Sequence, residues 1–392
     1  MPTSEYEVAA YYFPNYHPDP RNDGWHGAGW TEWELVKAAR PRYAGHRQPV
    51  VPAWGYFDES DPLWAEREID LAADHGITSF LYDWYWYEDG PFLQDGLDKG
   101  FLGASNSNRL KFALMWANHE WLNIHPSNFR NKPEKLVSGR ISRRAFDAMT
   151  DHIVENYFSR PNYLTIDDRP YFCVYELASF IDAMGGMSQA CEALNRLRDV
   201  TRDAGFPDVH LNATIWGVKV LPNEIGLERP AQVLDYMGFS SVTSYAWVHH
   251  FDPNSVGFPV SSYREAARAN YATWEANQDL FSIPYHPNVS MGWDSSPRTV
   301  GTDRYEPRGY PWLSVLDGNT PEAFRAALVK AKQFVDRPDV CAKSGGLKMV
   351  TLNAWNEWTE GSYLLPDTVT GTQYLEAIRD VFAASRSLVE AR

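Results

Sequence analysis

Glu357 and Glu360 stand three residues apart in Asn353-Ala354-Trp355-Asn356-Glu357-Trp358-Thr359-Glu360-Gly361, directly after the apolar run LKMVTL. Two carboxyl groups in one cavity can do acid–base work. One protonates a leaving oxygen while the other acts as base or nucleophile, which is the chemistry that breaks a glycosidic bond. Burial among Trp355, Trp358 and Tyr363 raises a carboxyl pKa, and two neighbouring acids push their values apart, so one of them keeps its proton near neutral pH. The competing reading is two solvated loop acids, or one acid paired with an arginine. Position favours chemistry, because the pair falls where a buried strand ends and a turn glycine follows.

The strand that positions the pair is the last of a series. EVAAYYF (7–13), TSFLYDWYW (78–86), KFALMWAN (111–118), PYFCVYEL (170–177), VHLNATIW (209–216), MGFSSVTSY (237–245), FSIPYHP (281–287) and LKMVTLNAW (347–355) read as strands. Helical patterns at 62–76, 142–157, 187–204, 262–277, 320–336 and 370–385 alternate with them, and the connection between the fifth and sixth strands is weakly helical. Eight mostly apolar strands joined by crossovers specify a parallel sheet covered by helices, and closing it gives a (β/α)8 barrel. A doubly wound sheet needs a glycine loop after the first strand, where YYFPNYHP has proline instead. Without a linker or repeat, one domain over residues 1–392 is the expectation. Long insertions at 14–61, 87–110, 119–141 and 288–319 follow the first, second, third and seventh strands, on the face where barrels keep their active sites.

The strand ends on that face combine aromatics with acids, amides and histidines. Tyr12 and His17 follow the first strand, Asp23 and Trp25 lie in its long loop, and Asp83 and Trp84 end the second. Trp116, Asn118 and Glu120 end the third; Tyr245, His286 and Trp293 belong to the sixth and seventh; Asn356 and Trp358 flank Glu357. Indole rings cover the C–H faces of a sugar while Asn, Asp, His and Glu bond its hydroxyls, so these residues are the expected substrate contacts.

Composition narrows the partners. The chain has 44% hydrophobic and 22% charged residues, enough for a large core, and its 15% aromatic content with 16 Trp and 22 Tyr suits a surface that stacks on sugar rings. A net charge of −15 with no basic stripe argues against nucleic acid. Cys173, Cys191 and Cys341 lack metal-ligand or disulfide spacing, and His249, His250 and His286 lack acidic company, so no metal and no cofactor are expected. The opening MPTSEYEVAA has no signal-peptide pattern and no run matches a membrane span, which gives a cytoplasmic expectation for the sequence as it stands.

The run Asn356-Glu357-Trp358-Thr359-Glu360-Gly361 resembles the acidic signature of glycoside hydrolase family 99, the endo-α-mannosidases and endo-α-mannanases. A wider set is similar to the family 99-like domain known as the WbsX-type glycosyltransferase. That set comprises Phe13-Pro14 with His17-Pro18, Asn22-Asp23, Thr31-Glu32-Trp33, Gly45-His46 with Gln48-Pro49, Trp116-Ala117-Asn118, Gly292-Trp293-Asp294 with Pro297-Arg298, and the terminal motif. The likeness runs from about residue 8 to 382, departing from the pattern at His119-Glu120. It implies a (β/α)8 barrel that works without metal and retains anomeric configuration. Carried over, Glu357 is the base that deprotonates the sugar's 2-hydroxyl, giving a 1,2-anhydro intermediate, and Glu360 is the general acid/base. The expected function is therefore a retaining glycoside hydrolase acting on an α-linked saccharide. A glycosyltransferase of surface-polysaccharide synthesis and an inactive glycan-binding barrel are the alternatives.

Remaining motifs read as structural. Thr31 is placed to cap a helix over 32–40, with Glu32 as a first-turn acid. Asp294 and Arg298 read as a buried ion pair shaping the seventh-strand loop. Asp167-Asp168 precedes a strand, away from the active face, and reads as a turn rather than a metal-holding acidic pair.

Overall fold

A parallel strand covered by helices has both of its faces buried, and the first strand, β1 (Glu7–Tyr12), is buried at every position. The computed structural model describes residues 5–383. After β1 come β2 (Ser79–Tyr87), β3 (Lys111–Trp116), β4 (Arg169–Val174), β5 (His210–Thr214) and β6 (Ser241–Thr243). The seventh, β7, is split by Pro287 into Tyr285–His286 and Asn288–Ser290, and β8 spans Met349–Asn353. Each strand pairs in parallel with the next.

Ring closure depends on that proline. The first half of β7 pairs with β6, the second half with β8, and β8 pairs with β1. Pro287 cannot donate to a ladder, so it occupies the point where the strand changes partners, while its carbonyl accepts from Thr351 N at 3.0 Å. The result is the parallel α/β barrel expected from the strand series.

Helices start where the sequence supplies caps. Asp61 accepts from Leu63 N ahead of α1 (Pro62–Asp74), Ser142 from Ala145 N ahead of α2 (Arg143–Ile153), and α3 spans Met187–Asp203. The weakly helical connection contains α4 (Pro230–Met237), begun by proline and ended by Gly238 at φ 69. Because Met237 belongs to that helix, β6 starts only at Ser241 and is shorter than the run 237–245 suggested. Ser262 and Thr320 cap α5 (Tyr263–Leu280) and α6 (Pro321–Val335). The closing helix is α7 (Gln373–Ile378), continued by a looser turn over Arg379–Ala383; residues 384–385 of the expected helix lie outside the described residues.

Two local expectations change or hold for backbone reasons. Thr31 caps nothing: the short helix Trp33–Ala38 has Glu32 at its head, with no side-chain cap bond. Asp167 and Asp168 form a tight turn with φ of 51 and 60 between Thr165–Ile166 and the start of β4, at the far end of the barrel from the long loops. No helix among the described residues is long and apolar enough to cross a membrane.

Candidate active site

The C-terminal strand ends enclose a cavity at the barrel mouth. Phe13 follows β1, Asp83 and Tyr85 come from β2, Ala117 to Leu122 include the wall after β3, and Tyr175 follows β4. Tyr245 and His249 follow β6, Trp293, Arg298 and Tyr310 come from the loop after β7, and Glu357 and Glu360 follow β8.

The two glutamates sit on a sharp bend. β8 ends at Asn353, Trp358–Glu360 forms a single helical turn, and Gly361 reverses the chain at φ 62. A Cβ on Gly361 would lie 2.7 Å from Asp294 Cβ, so only glycine lets this bend pack on the seventh loop. Asp294 N donates to Glu360 O across that contact.

One guanidinium bridges the pair. Arg298 Nη1 donates to Glu360 Oε1 at 2.7 Å, and Nη2 donates to Glu357 Oε2 at 3.2 Å. Tyr310 Oη also donates to Glu360 Oε1 (2.5 Å), and Tyr245 Oη lies 3.4 Å from Glu357 Oε1. Glu357 is 3% and Glu360 4% exposed, so neither is a solvated loop acid.

Burial raises both carboxyls above the usual range. In Glu357 the charge of Glu360 adds to burial and Arg298 only partly offsets it, whereas Arg298 and the Tyr310 hydroxyl draw Glu360 back. Asp83, 3% exposed, is raised well above its usual range by burial, with Tyr245 Oη donating to it at 2.7 Å. Among the described residues its Oδ1 has no partner, and neither do Nε1 of Trp121 and Nε1 of Trp293, which line the same cavity. Buried polar atoms normally find partners, so these three are free to bond a polar ligand in the cavity.

Among the residues expected to touch substrate, Asp83, Glu120, Tyr245 and Trp293 line the cavity beside Glu357 and Glu360. The rest lie elsewhere, four of them because a strand's side chains alternate between faces. Tyr12 points outward and donates to Glu68 of α1. Trp84 packs toward His152 and Tyr157, and Trp116 packs on Phe146 and Phe180, all in the helical layer. His286 is buried in the wall with Nε2 unpartnered.

Others serve the scaffold. Asn118 clamps the Glu176 backbone through both its amide atoms, and Asn356 does the same for Phe13. Trp358 stacks on Tyr363 at 4.1 Å, His17 pairs with Glu59 at 2.8 Å, Asp23 accepts from Gly29 N, and Trp25 packs edge-on against Phe92. Glu120, at the rim, bonds Lys135 and Asn223, tying the third loop to the fifth.

Two assignments are overturned. Asp294 does not pair with Arg298; it accepts from His46 Nε2 at 2.8 Å and Gln48 Nε2 at 2.6 Å, fastening the first loop to the seventh. Glu32 is no first-turn surface acid but a fully buried partner of Arg298. The signal that could have marked Arg298 was the excess of acids among the strand ends, since buried carboxylates need a cation. Nothing in the linear spacing said that residues 32, 298, 357 and 360 would meet. No group of three or more His, Cys, Asp or Glu side chains arranged for a metal occurs among the described residues.

The family model described as glycosyltransferase WbsX matches residues 8–378. Curated proteins from two strains of Xanthomonas campestris pv. campestris, both described as uncharacterized protein WxcX, are 29% identical over 374 residues. That is 95% of this chain and 49% of theirs, so the chain spans about half the length of these relatives. Two structures of an endo-α-mannosidase of glycoside hydrolase family 99 from Bacteroides thetaiotaomicron have TM-scores of 0.58 and 0.53 at 12% identity, covering 98% of this chain and 99% of that one. A protein described as glycoside hydrolase-like has a TM-score of 0.59 at 17% identity, with 97% and 95% coverage. At such identities the likeness establishes a shared fold.

Proposed function

This chain belongs to the WbsX family, and from that premise we propose that its barrel breaks α-glycosidic bonds with retention of configuration, using Glu357 and Glu360 as its acids. The observation that carries the reading is that two buried carboxyls, bridged by Arg298, face one cavity whose walls hold unpartnered polar atoms.

In the first step Glu357 takes the proton of the sugar's 2-hydroxyl, whose oxygen attacks the anomeric carbon. The bond to the leaving oxygen breaks as Glu360 protonates it. In the second step Glu360 takes a proton from water, the water oxygen opens the 1,2-anhydro ring, and O2 regains the proton held by Glu357. A hydroxyl already beside the reacting carbon needs only a base to become a nucleophile. This route needs the pair's one proton on Glu360 rather than on Glu357. The two forms carry the same number of protons, so moving one proton within the pair reaches the working form.

A second reading follows from the family's description as a glycosyltransferase. A sugar hydroxyl in place of water completes the same second step as transfer. Screening aryl α-glycosides and polysaccharides in plain buffer tests hydrolysis; a strict need for a nucleotide sugar supports transfer, and tight glycan binding without turnover supports a binding barrel. Glu357→Gln is expected to abolish turnover of every substrate. Glu360→Gln is expected to keep the first step on an aryl glycoside whose leaving group needs no proton. Unchanged turnover in both variants sinks the proposed roles.

A further inference from the structure

We propose that Glu32 is a positioning residue of this site, reaching in from the first long loop to take up the charge of Arg298 that would otherwise fall on Glu357 and Glu360. The inference rests on the reading that those two carboxyls are the working pair.

Glu32 faces Arg298 more closely than Glu357 does. Its Oε1 lies 2.8 Å from both Nε and Nη2 of the guanidinium, against 3.2 Å from Nη2 to Glu357. Glu32 is 0% exposed, and Asn15 Nδ2 donates to its Oε2 at 2.6 Å. The Thr359 hydroxyl donates to Oε1, and Thr359 lies between Glu357 and Glu360 in the chain, so Glu32 also holds the turn that carries them.

Charge bookkeeping gives the consequence. An arginine within about 4–6 Å lowers a carboxyl by roughly 1–3 pH units, which would leave both members of the pair ionised and neither able to donate. Burial works to raise Glu32, but Arg298, with the hydrogen bonds from Thr359 and Asn15, opposes it, and the carboxyl lies below its usual range. One negative charge thus already answers the guanidinium. The other titratable groups on the cavity wall include Asp83, Tyr85, Tyr175, Tyr245 and Tyr310, with Glu120 at the rim, and burial pushes His119 down to about 4 and His249 to about 3, so neither imidazole carries charge near neutrality. His125, 3.8 Å from Glu32, is pushed down to about 3 by burial and adds no charge near neutrality.

The test is the thermal midpoint from pH 5 to 9 for the wild type, Glu32→Gln and Glu32→Asp, each also in a Glu357→Gln/Glu360→Gln background. A buried acid raised above its unfolded value stabilises the fold at low pH and loses that contribution as pH rises through the folded value. Glu32→Gln keeps an acceptor but removes the charge, so the fall in midpoint is expected to move about one pH unit or more toward acid. Glu32→Asp keeps the charge and is expected to keep the wild-type pH dependence, even where packing loss lowers the midpoint. In the double-Gln background the Glu32→Gln effect is expected to be the same at every pH. A pH-independent offset in the single variant overturns the proposal. If Glu32→Gln does not fold, a moved pH dependence in Glu32→Asp overturns it instead. Where the glycoside screen yields a substrate, the pH profile of kcat/KM should shift the same way with KM little changed. The midpoint measurement needs no substrate, so absence of turnover counts against the catalytic reading alone.

Discussion

Asp83 and Trp84 are neighbours in β2 yet face opposite sides of the barrel: Asp83 bonds Tyr245 across the cavity, while Trp84 packs against Tyr157 in the helical layer. The two residues should therefore fail differently when changed.

Tyr245→Phe removes the hydroxyl that donates to Asp83, leaving a buried carboxyl without that partner. Such a group usually costs about 1–3 kcal/mol of folding stability, and because Tyr245 and Asp83 both line the cavity a rise in KM is expected with it. Trp84→Phe is expected to lower the thermal midpoint with KM unchanged. Equal effects of the two on KM would show that the faces are misassigned.

Asn356 clamps the barrel seam, accepting from Phe13 N and donating to Phe13 O, both at 2.8 Å. Asn356→Ala leaves the buried Phe13 N–H without its acceptor, while Phe13 O keeps Asn15 N at 3.2 Å, and should cost about 1–3 kcal/mol in denaturant unfolding. A change under a few tenths would mean that water replaces the amide and the seam does not depend on it.

Glu68 gives a stability signature of its own. Burial is the main cause that lifts its carboxyl to about 8, with Trp355 Nε1 (2.9 Å) and Tyr12 Oη (3.1 Å) donating to it. Its folded-state value exceeds the unfolded one, so its stabilisation is complete below the ordinary carboxyl range and declines as pH rises toward 8. Glu68→Gln should flatten that decline in thermal midpoint; parallel curves for the variant and wild type would contradict the assignment.

Asp294 has the opposite sign. Burial works against its charge, but His46, Ser296 and Gln48 outweigh it and hold the carboxyl below its usual range. Its contribution is present above the unfolded value and is lost as pH falls through the folded one. Asp294→Ala should loosen the first loop from the seventh, read as faster proteolytic cleavage within residues 14–61 while β1–β8 stay protected. Unchanged cleavage would assign the loop contact to other residues.

The strand series, most helix starts and the bend that carries Glu357 and Glu360 were legible in the chain because they follow from local rules. Apolar runs make strands, Asp61, Ser142, Ser262 and Thr320 supply caps, and Gly361 permits the reversal. Alternation along SFLYDWYWY was legible too: Asp83 and Tyr85 share one face and Trp84 and Trp86 the other, although which face met the cavity depended on the closed ring. What no local rule contains is the meeting of Glu32 with Arg298, Glu357 and Glu360. Residues from the first, seventh and eighth loops converge only when β8 pairs with β1, and the energy of a buried charge is set by whatever else arrives beside it.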